Sequence, residues 1–89
     1  MRTVVESDIV SRAFDENLAR YPKLQDAFDA LKWWLARKPE RGERFDNRGH
    51  WLYKQQGRKA WTVPSLVVIY TFDDQYVYLK DILITASDT

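Results

Sequence analysis

Four side chains in the middle of the chain have the types needed to cleave RNA without a metal ion. His50, Lys54, Arg58 and Lys59 lie close together in the sequence. Such cleavage needs a base for the 2′-hydroxyl, an acid for the leaving oxygen and cations for the charge that develops at phosphorus. A histidine side chain can exchange a proton near neutral pH, and arginine can hold phosphate through two hydrogen bonds. These four residues are therefore the candidate catalytic residues.

The spacing of His50 and Lys54 leaves room for a nucleotide between them. The segment His50–Gln55 has the pattern of a strand, so side chains four residues apart lie on the same face. Their roots are then about 13 Å apart at roughly 3.3 Å per residue. The alternative interpretation is structural: His50 is a surface residue at the start of a strand, and Arg58 and Lys59 are the charges of a turn.

A second group of residues has the types that bind nucleic acid. Arg41, Arg44 and Arg48 lie in the segment 39–49, and Trp51 follows it. Arginines position a nucleic-acid backbone without reading its sequence, and a tryptophan can stack on a base. The alternative is a solvated loop in which the nearby glutamates pair with the arginines and Trp51 belongs to the core.

The charge distribution also indicates an anionic partner. The net charge is only +1, but residues 37–59 carry eight Lys and Arg against three Asp and Glu. A basic middle in a nearly neutral chain is typical of a protein that meets a polyanion along one edge. The absence of cysteine excludes disulfides and thiolate metal sites, and a single histidine argues against zinc. No motif for a small-molecule cofactor is present, so we expect no cofactor and no metal.

Length and hydropathy predict one domain, residues 1–89, because 89 residues leave no room for a second core. No apolar stretch reaches the length of a membrane span, so we expect no membrane association and a cytoplasmic location.

Periodicity predicts a strand at Arg2–Glu6 and then two helices. Ser7 is a helix cap, and Pro22 interrupts the first helix, because a proline and the residue before it disfavour helix. The second helix is predicted at Lys23–Arg37. The two apolar stripes consist of Val10, Phe14, Leu18 and Tyr21 in the first helix and of Leu24, Phe28, Leu31 and Leu35 in the second.

The C-terminal half predicts strands. Pro39–Gly49 is a loop, His50–Gln55 is a strand that Ala60–Val63 extends, and Ser65–Thr85 is a hairpin that turns at Asp73–Gln75. The hairpin strands do not alternate cleanly, which indicates that both faces are covered, one by the helices and the other by a closed core or a partner. Tyr76, Tyr78 and Lys80 are predicted to share a face with Ile82 and Ile84, and are the candidate partner-binding residues.

The predicted fold class is therefore α+β with two layers. An N-terminal strand precedes an antiparallel two-helix hairpin and a three-stranded antiparallel meander. The connection between the first and last strands is long enough for them to pair in parallel.

This order of elements resembles the RelE/ParE superfamily of toxins from bacterial toxin–antitoxin pairs. Leu35–Gly42 is similar to the family's leucine, proline and glycine before its loop. Leu66–Tyr70 and Tyr76–Ile82, with an acidic turn between them, are similar to its paired final strands. The resemblance covers nearly the whole chain.

The resemblance implies a toxin held inactive by a cognate antitoxin. RelE-like members cleave mRNA on the ribosome without a metal, using basic residues, histidine or tyrosine on the sheet and its loops, whereas ParE-like members inhibit DNA gyrase. Family arginines are replaced here by Thr62 and Val67, and the basic residue after the last strand is missing. The function expected is a RelE-like ribosome-dependent mRNA interferase; the alternative is a ParE-like gyrase inhibitor or a non-catalytic binding module.

Overall fold

The computed structural model describes residues 1–89 and has the predicted order of elements, a strand, two helices and then strands. The fold is α+β, with two helices packed on a five-stranded mixed sheet. The helices are α1 (Asp8–Asn17) and α2 (Leu24–Arg37), and the strands are β1 (Thr3–Glu6), β2 (Glu43–Arg44), β3 (Trp51–Gln55), β4 (Ser65–Phe72) and β5 (Tyr76–Thr85). None of the helices is long and apolar enough to cross a membrane.

The sheet joins the two ends of the chain. Its strand order is β1-β5-β4-β3-β2, and β1 pairs with β5 in parallel, with Thr3 opposite Tyr76. The strands β3, β4 and β5 form the predicted antiparallel meander. The remaining strand, β2, lies at the edge of the sheet and falls in a segment predicted as loop. It is only two residues long and carries charged side chains, so no apolar pattern marks it.

Both helices cover one face of the sheet and bury the core with it. Ser7 caps α1, since its Oγ accepts a hydrogen bond from the Val10 N–H at 3.3 Å. The first helix ends at Asn17, four residues before the predicted end at Tyr21, and turns connect it to α2. The buried core consists of Val10, Leu24, Ala27, Phe28, Leu31, Leu35, Leu66, Val68, Tyr70, Val77 and Leu79.

A β-bulge changes which residues of β5 face the helices. Val77 and Leu79 are buried, so Tyr76 and Tyr78 lie on the opposite face. The register then shifts, because Ile69 pairs with Asp81 while Tyr70 pairs with Leu79. Beyond this bulge Ile82 and Ile84 pack against the core. The prediction that these isoleucines share a face with the tyrosines is therefore wrong, since the extra residue reverses the alternation.

The segment Ala60–Val63 does not extend a strand, contrary to the prediction. Lys59–Trp61 form a single 3₁₀ turn, and Thr62 has a φ of 56°, in the left-handed region. Only an isolated bridge joins Arg58 to Val63. The chain must reverse here before Pro64, and a proline has no N–H to donate to a ladder, so a regular strand does not form.

The sheet face away from the helices is open within this chain, and we name it the open face. It carries the side chains that alternate with the core residues, among them Lys54, Val67, Ile69 and Tyr78. Leu83 also lies there and is 59% exposed. The sequence predicts that both faces of the β4–β5 hairpin are covered. Within this chain the helices cover one face, and the open face has no cover.

Candidate functional site

The sheet has two ends, and the candidate residues are divided between them. At the hairpin end β4 and β5 are joined by the turn Asp73–Gln75, and Trp51 at the start of β3 lies opposite Tyr70. At the far end Ser65 pairs with Thr85, and Gln55 at the end of β3 lies opposite Leu66. His50 immediately precedes β3 and is therefore at the hairpin end.

His50 is held by a carboxylate. Its Nδ1 lies 2.8 Å from Oδ2 of Asp46, whose Oδ1 accepts hydrogen bonds from the backbone N–H groups of Arg48 and His50. Partial desolvation raises the pKa of Asp46, but these backbone hydrogen bonds and the imidazole together lower it below its ordinary value. An ionised Asp46 accepts a hydrogen bond from Nδ1–H, which leaves the lone pair of His50 on Nε2. This is the arrangement of a proton acceptor with a fixed tautomer.

Lys54 lies on the open face and borders a shallow surface pocket of about 290 Å³. Its amine makes no ion pair, and Arg41 and Glu43 line the same pocket. The structure therefore brings one predicted catalytic residue next to one predicted nucleic-acid-binding residue.

Arg58 and Lys59 lie at the far end, beyond the end of β3. The backbone of Arg58 pairs with Val63, and the Lys59 N–H donates to the carbonyl oxygen of Thr89 at 2.8 Å. Lys59 lines a pocket of about 420 Å³ that also includes Arg20 and Pro64. The structure does not bring these two cations to His50, and their catalytic role stays a prediction.

Among the predicted nucleic-acid-binding residues, Arg44 and Trp51 pair at the hairpin end, and Arg41 lies farther along β3, beside Lys54. The guanidinium carbon of Arg41 is 4.2 Å from the ring centroid of Trp34, and that of Arg44 is 5.8 Å from the centroid of Trp51. Arg48 is exposed in the loop that carries Asp46. These contacts place planar cations against aromatic rings, a geometry that attracts the cation to the ring face.

Near the hairpin end, two further pairs of the same kind were not predicted from the sequence. The guanidinium carbon of Arg37 lies 3.9 Å from the centroid of Trp33, and that of Arg2 lies 5.6 Å from the centroid of Phe72. The i,i+4 spacing of Trp33 and Arg37 is a signal that the sequence offers. We name the whole group the arginine–aromatic rim: Arg2, Arg37, Arg41, Arg44, Trp33, Trp34, Trp51 and Phe72.

A buried hydroxyl holds the segment that carries Arg41 in place. Tyr70 is fully buried, and its hydroxyl donates to the carbonyl oxygen of Pro39 and accepts the Gly42 N–H at 3.2 Å. Burial raises the pKa of Tyr70 to about 12, against the opposing effect of the Gly42 N–H. A side chain at Gly42 would meet Tyr70 and the carbonyl oxygen of Leu52, the latter at 2.6 Å. The start of the arginine-bearing loop is thus fixed to β4.

No rim arginine forms a direct ion pair, although Nε of Arg2 donates to the carbonyl oxygen of Asp73 at 2.7 Å and its charge lies near that carboxylate. The ion pairs of the chain join Lys32 to Glu6 and Asp29, and His50 to Asp46. None of the eight arginines has a carboxylate oxygen within 4.0 Å of its guanidinium nitrogens. The interpretation in which loop glutamates pair with Arg41, Arg44 and Arg48 therefore finds no support in these contacts.

The three candidate partner-binding residues form one column on the open face. The rings of Tyr76 and Tyr78 are 5.7 Å apart, and the amine of Lys80 lies 5.5 Å from the centroid of Tyr78. Desolvation and the nearby Asp73 raise the pKa of Tyr78. The column is thus an amphipathic surface next to the exposed apolar side chains of this face.

No group of three histidine, cysteine, aspartate or glutamate side chains comes together as a metal site would require. The chain matches no protein-family model, and no curated protein has a significantly similar sequence.

Proposed function

We propose that this chain is a RelE/ParE-like toxin that cleaves mRNA on the ribosome, with His50 as the residue that accepts the proton. One observation carries the proposal. The 2.8 Å contact between His50 and Asp46 lies beside arginines that have no carboxylate partner. A base with a fixed tautomer next to free cations has the components of metal-independent RNA cleavage.

The architecture supports the family part of the proposal. A strand, two helices and an antiparallel meander, with the first strand parallel to the last, are the order that the resemblance implies. The same order occurs with different functions, so the fold alone does not select between cleavage and binding. The selection rests on the residues at the hairpin end.

The chemistry assigns one role to each group. Nε2 of His50 takes the proton of the 2′-hydroxyl, and the 2′-oxygen attacks phosphorus as the bond to the 5′-oxygen breaks. The products are a cyclic phosphate and a 5′-hydroxyl. Arg44 and Arg48 offer charge to the phosphate oxygens. Lys54, on the open face, is the candidate that gives the leaving oxygen its proton, reaching across a bound nucleotide.

A cognate antitoxin is the partner that this function requires, since a free toxin would arrest its host. Tyr76, Tyr78 and Lys80 offer it an amphipathic column on the open face. An apolar sheet face with an exposed Leu83 is a surface that another polypeptide can cover. An acidic antitoxin would also complement the basic segment 37–59.

One observation favours the second candidate, a gyrase inhibitor or a binding module without catalysis. Arg58 and Lys59 lie at the far end and cannot join His50 in one active site. If cleavage needed all four residues, the chain would have no nuclease activity.

Expression in a bacterial host separates these candidates. We expect growth arrest with cut transcripts, lost in His50→Ala and strongly reduced in Lys54→Ala. A matched control is Lys23→Ala, an exposed lysine before α2. Growth arrest with DNA damage and intact transcripts would support gyrase inhibition instead. The absence of any growth effect would contradict both toxin proposals.

A further inference from the structure

We infer that the arginine–aromatic rim binds single-stranded nucleic acid without sequence preference. In this arrangement bases stack on the guanidinium planes, and phosphates contact their N–H edges. The inference rests on the proposed function as an extension of it, because the rim begins at Trp51, next to His50, and would hold the strand that His50 cleaves. The binding itself requires no cleavage and can be measured separately.

The first observation is the stacking of planar cations on indole rings. Arg37 lies 3.9 Å above Trp33, and Arg41 lies 4.2 Å above Trp34, each measured from the guanidinium carbon to a ring centroid. Both arginines are exposed, and Nη1 of Arg37 donates to the carbonyl oxygen of Trp33 at 3.1 Å, which holds its guanidinium beside the ring. Bases stack on arginine planes as well as on aromatic rings. An arginine already held on a ring loses little freedom when a base is added to the stack.

The second observation is that the pairs are contiguous. The rings of Trp51 and Phe72 are 5.4 Å apart, and Arg2 lies over Phe72. The Arg2 N–H donates to the carbonyl oxygen of Ala36 at 2.8 Å, which places the start of the chain next to Arg37. Trp51 and Phe72 are half-buried and pack against the core, so a strand at the hairpin end meets mainly the guanidinium groups of Arg44 and Arg2 that lie over these rings.

The third observation is charge. The four rim arginines have no carboxylate within 4.0 Å, and each lies over an aromatic ring. An acidic polypeptide would use the N–H edges of these cations but would gain nothing from the stacked planes. Nucleic acid uses both, because every base has a flat π-face and every nucleotide a phosphate. The combination therefore favours nucleic acid over an acidic protein.

The test is a fluorescence titration with an oligouridylate that carries 2′-O-methyl groups, which cannot be cleaved through its 2′-oxygen. Three of the four tryptophans lie in the rim, and Trp61, 70% exposed, lies at the far end. The Trp61→Phe protein therefore reports the rim alone, and we expect binding to quench its fluorescence. With four phosphate contacts, the logarithm of the binding constant should fall with the logarithm of the salt concentration with a slope of about −2.8. Binding should then be about 50-fold weaker at 200 mM than at 50 mM salt.

Variants of Arg37 separate charge from stacking. Arg37→Ala should reduce the slope to about −2.1, so that affinity falls about 18-fold between 50 and 200 mM salt. Arg37→Lys should keep the slope but weaken binding about tenfold, because a lysine keeps the charge and loses the plane. Arg20→Ala is the matched control and should change neither quantity, since Arg20 also lies over a ring, Tyr21, but at the far end.

Three results would overturn the inference. These are equal binding of a duplex of the same length, an equal loss in Arg20→Ala and Arg37→Ala, and equally tight binding of poly-glutamate that responds to the same variants. The last result would make the rim a surface for acidic protein. If the protein binds the methylated probe but leaves ordinary RNA intact, the binding role of the rim is supported and only the cleavage proposal is wrong. If the protein cleaves RNA without binding the probe, only the binding role of the rim is wrong.

Discussion

Removing the hydroxyl of Tyr70 should release the segment that carries Arg41 and Arg44, two of the four rim arginines. In Tyr70→Phe the carbonyl oxygen of Pro39 loses its donor, and the N–H of Gly42 loses its acceptor. A polar group left unpaired in a buried position costs about 1–3 kcal/mol. Because Tyr70 is fully buried, we expect about 2 kcal/mol of lost unfolding free energy. For a domain of this size that corresponds to a melting temperature lower by roughly 8–16 °C.

The assay is denaturant unfolding of Tyr70→Phe beside Tyr53→Phe. Tyr53 is half-buried, and its hydroxyl makes no hydrogen bond within the chain, so its loss should cost less than about 0.5 kcal/mol. Hydrogen exchange at the Gly42 N–H should accelerate by about 30-fold in the Tyr70 variant alone. A Tyr70→Phe protein as stable as the Tyr53 variant would refute the claim that this hydroxyl fixes the loop.

The difference in unfolding free energy between wild type and Tyr70→Phe should also depend on pH. The pKa of Tyr70 rises to about 12 in the folded chain, so folding favours its protonated form. Its contribution is complete below the ordinary tyrosine pKa of about 10 and is lost as the pH rises through about 12. The stability difference between wild type and Tyr70→Phe should therefore narrow above about pH 10. A gap that widens there would contradict the assignment.

Two other substitutions test the local geometry of the site. Gly42→Ala should destabilise the chain by about 1–3 kcal/mol in denaturant unfolding, because its Cβ would meet Tyr70 and the Leu52 carbonyl; an unchanged midpoint would show that the loop can shift. Asp46→Asn should lower the rate of RNA cleavage on the order of a hundredfold, because Nδ1 of His50 loses its carboxylate. Since its pKa is lowered, Asp46 contributes stability at neutral pH that is lost as the pH falls below about 3.8, so the variant should lose less stability than wild type in acid. If the unfolding free energies of the two proteins fall in parallel with decreasing pH, the hydrogen bonds to the Asp46 carboxylate do not stabilise the fold.

The fold was largely predictable because its elements have strong periodic signals. The stripe from Leu24 to Leu35 marks α2, and the β-branched run of β4 marks a buried strand. The connection between β1 and β5 is long enough to permit their parallel pairing, which the structure shows. The bulge opposite Ile69 and Tyr70 was not predictable, since nothing in the local pattern of β5 shows where one extra residue is accommodated.

The geometry of the candidate site was predictable only in part, because its main contacts depend on how the loop 39–49 folds. His50 was identified by its chemistry, but its pairing with Asp46 follows from a turn that the four-residue spacing only permits. Arg2 and Phe72 meet although they are 70 positions apart in the sequence. Such contacts come from the sheet order, and a charge count of segment 37–59 does not include Arg2.

The most direct test of the central claim is primer extension on mRNA in a bacterial translation reaction with purified protein. Wild type should produce discrete cuts, His50→Ala should reduce them at least a hundredfold, and Lys23→Ala should cut as wild type does. Unchanged cutting by His50→Ala, or intact mRNA with wild type, would contradict the claim that the paired histidine at the hairpin end cleaves RNA.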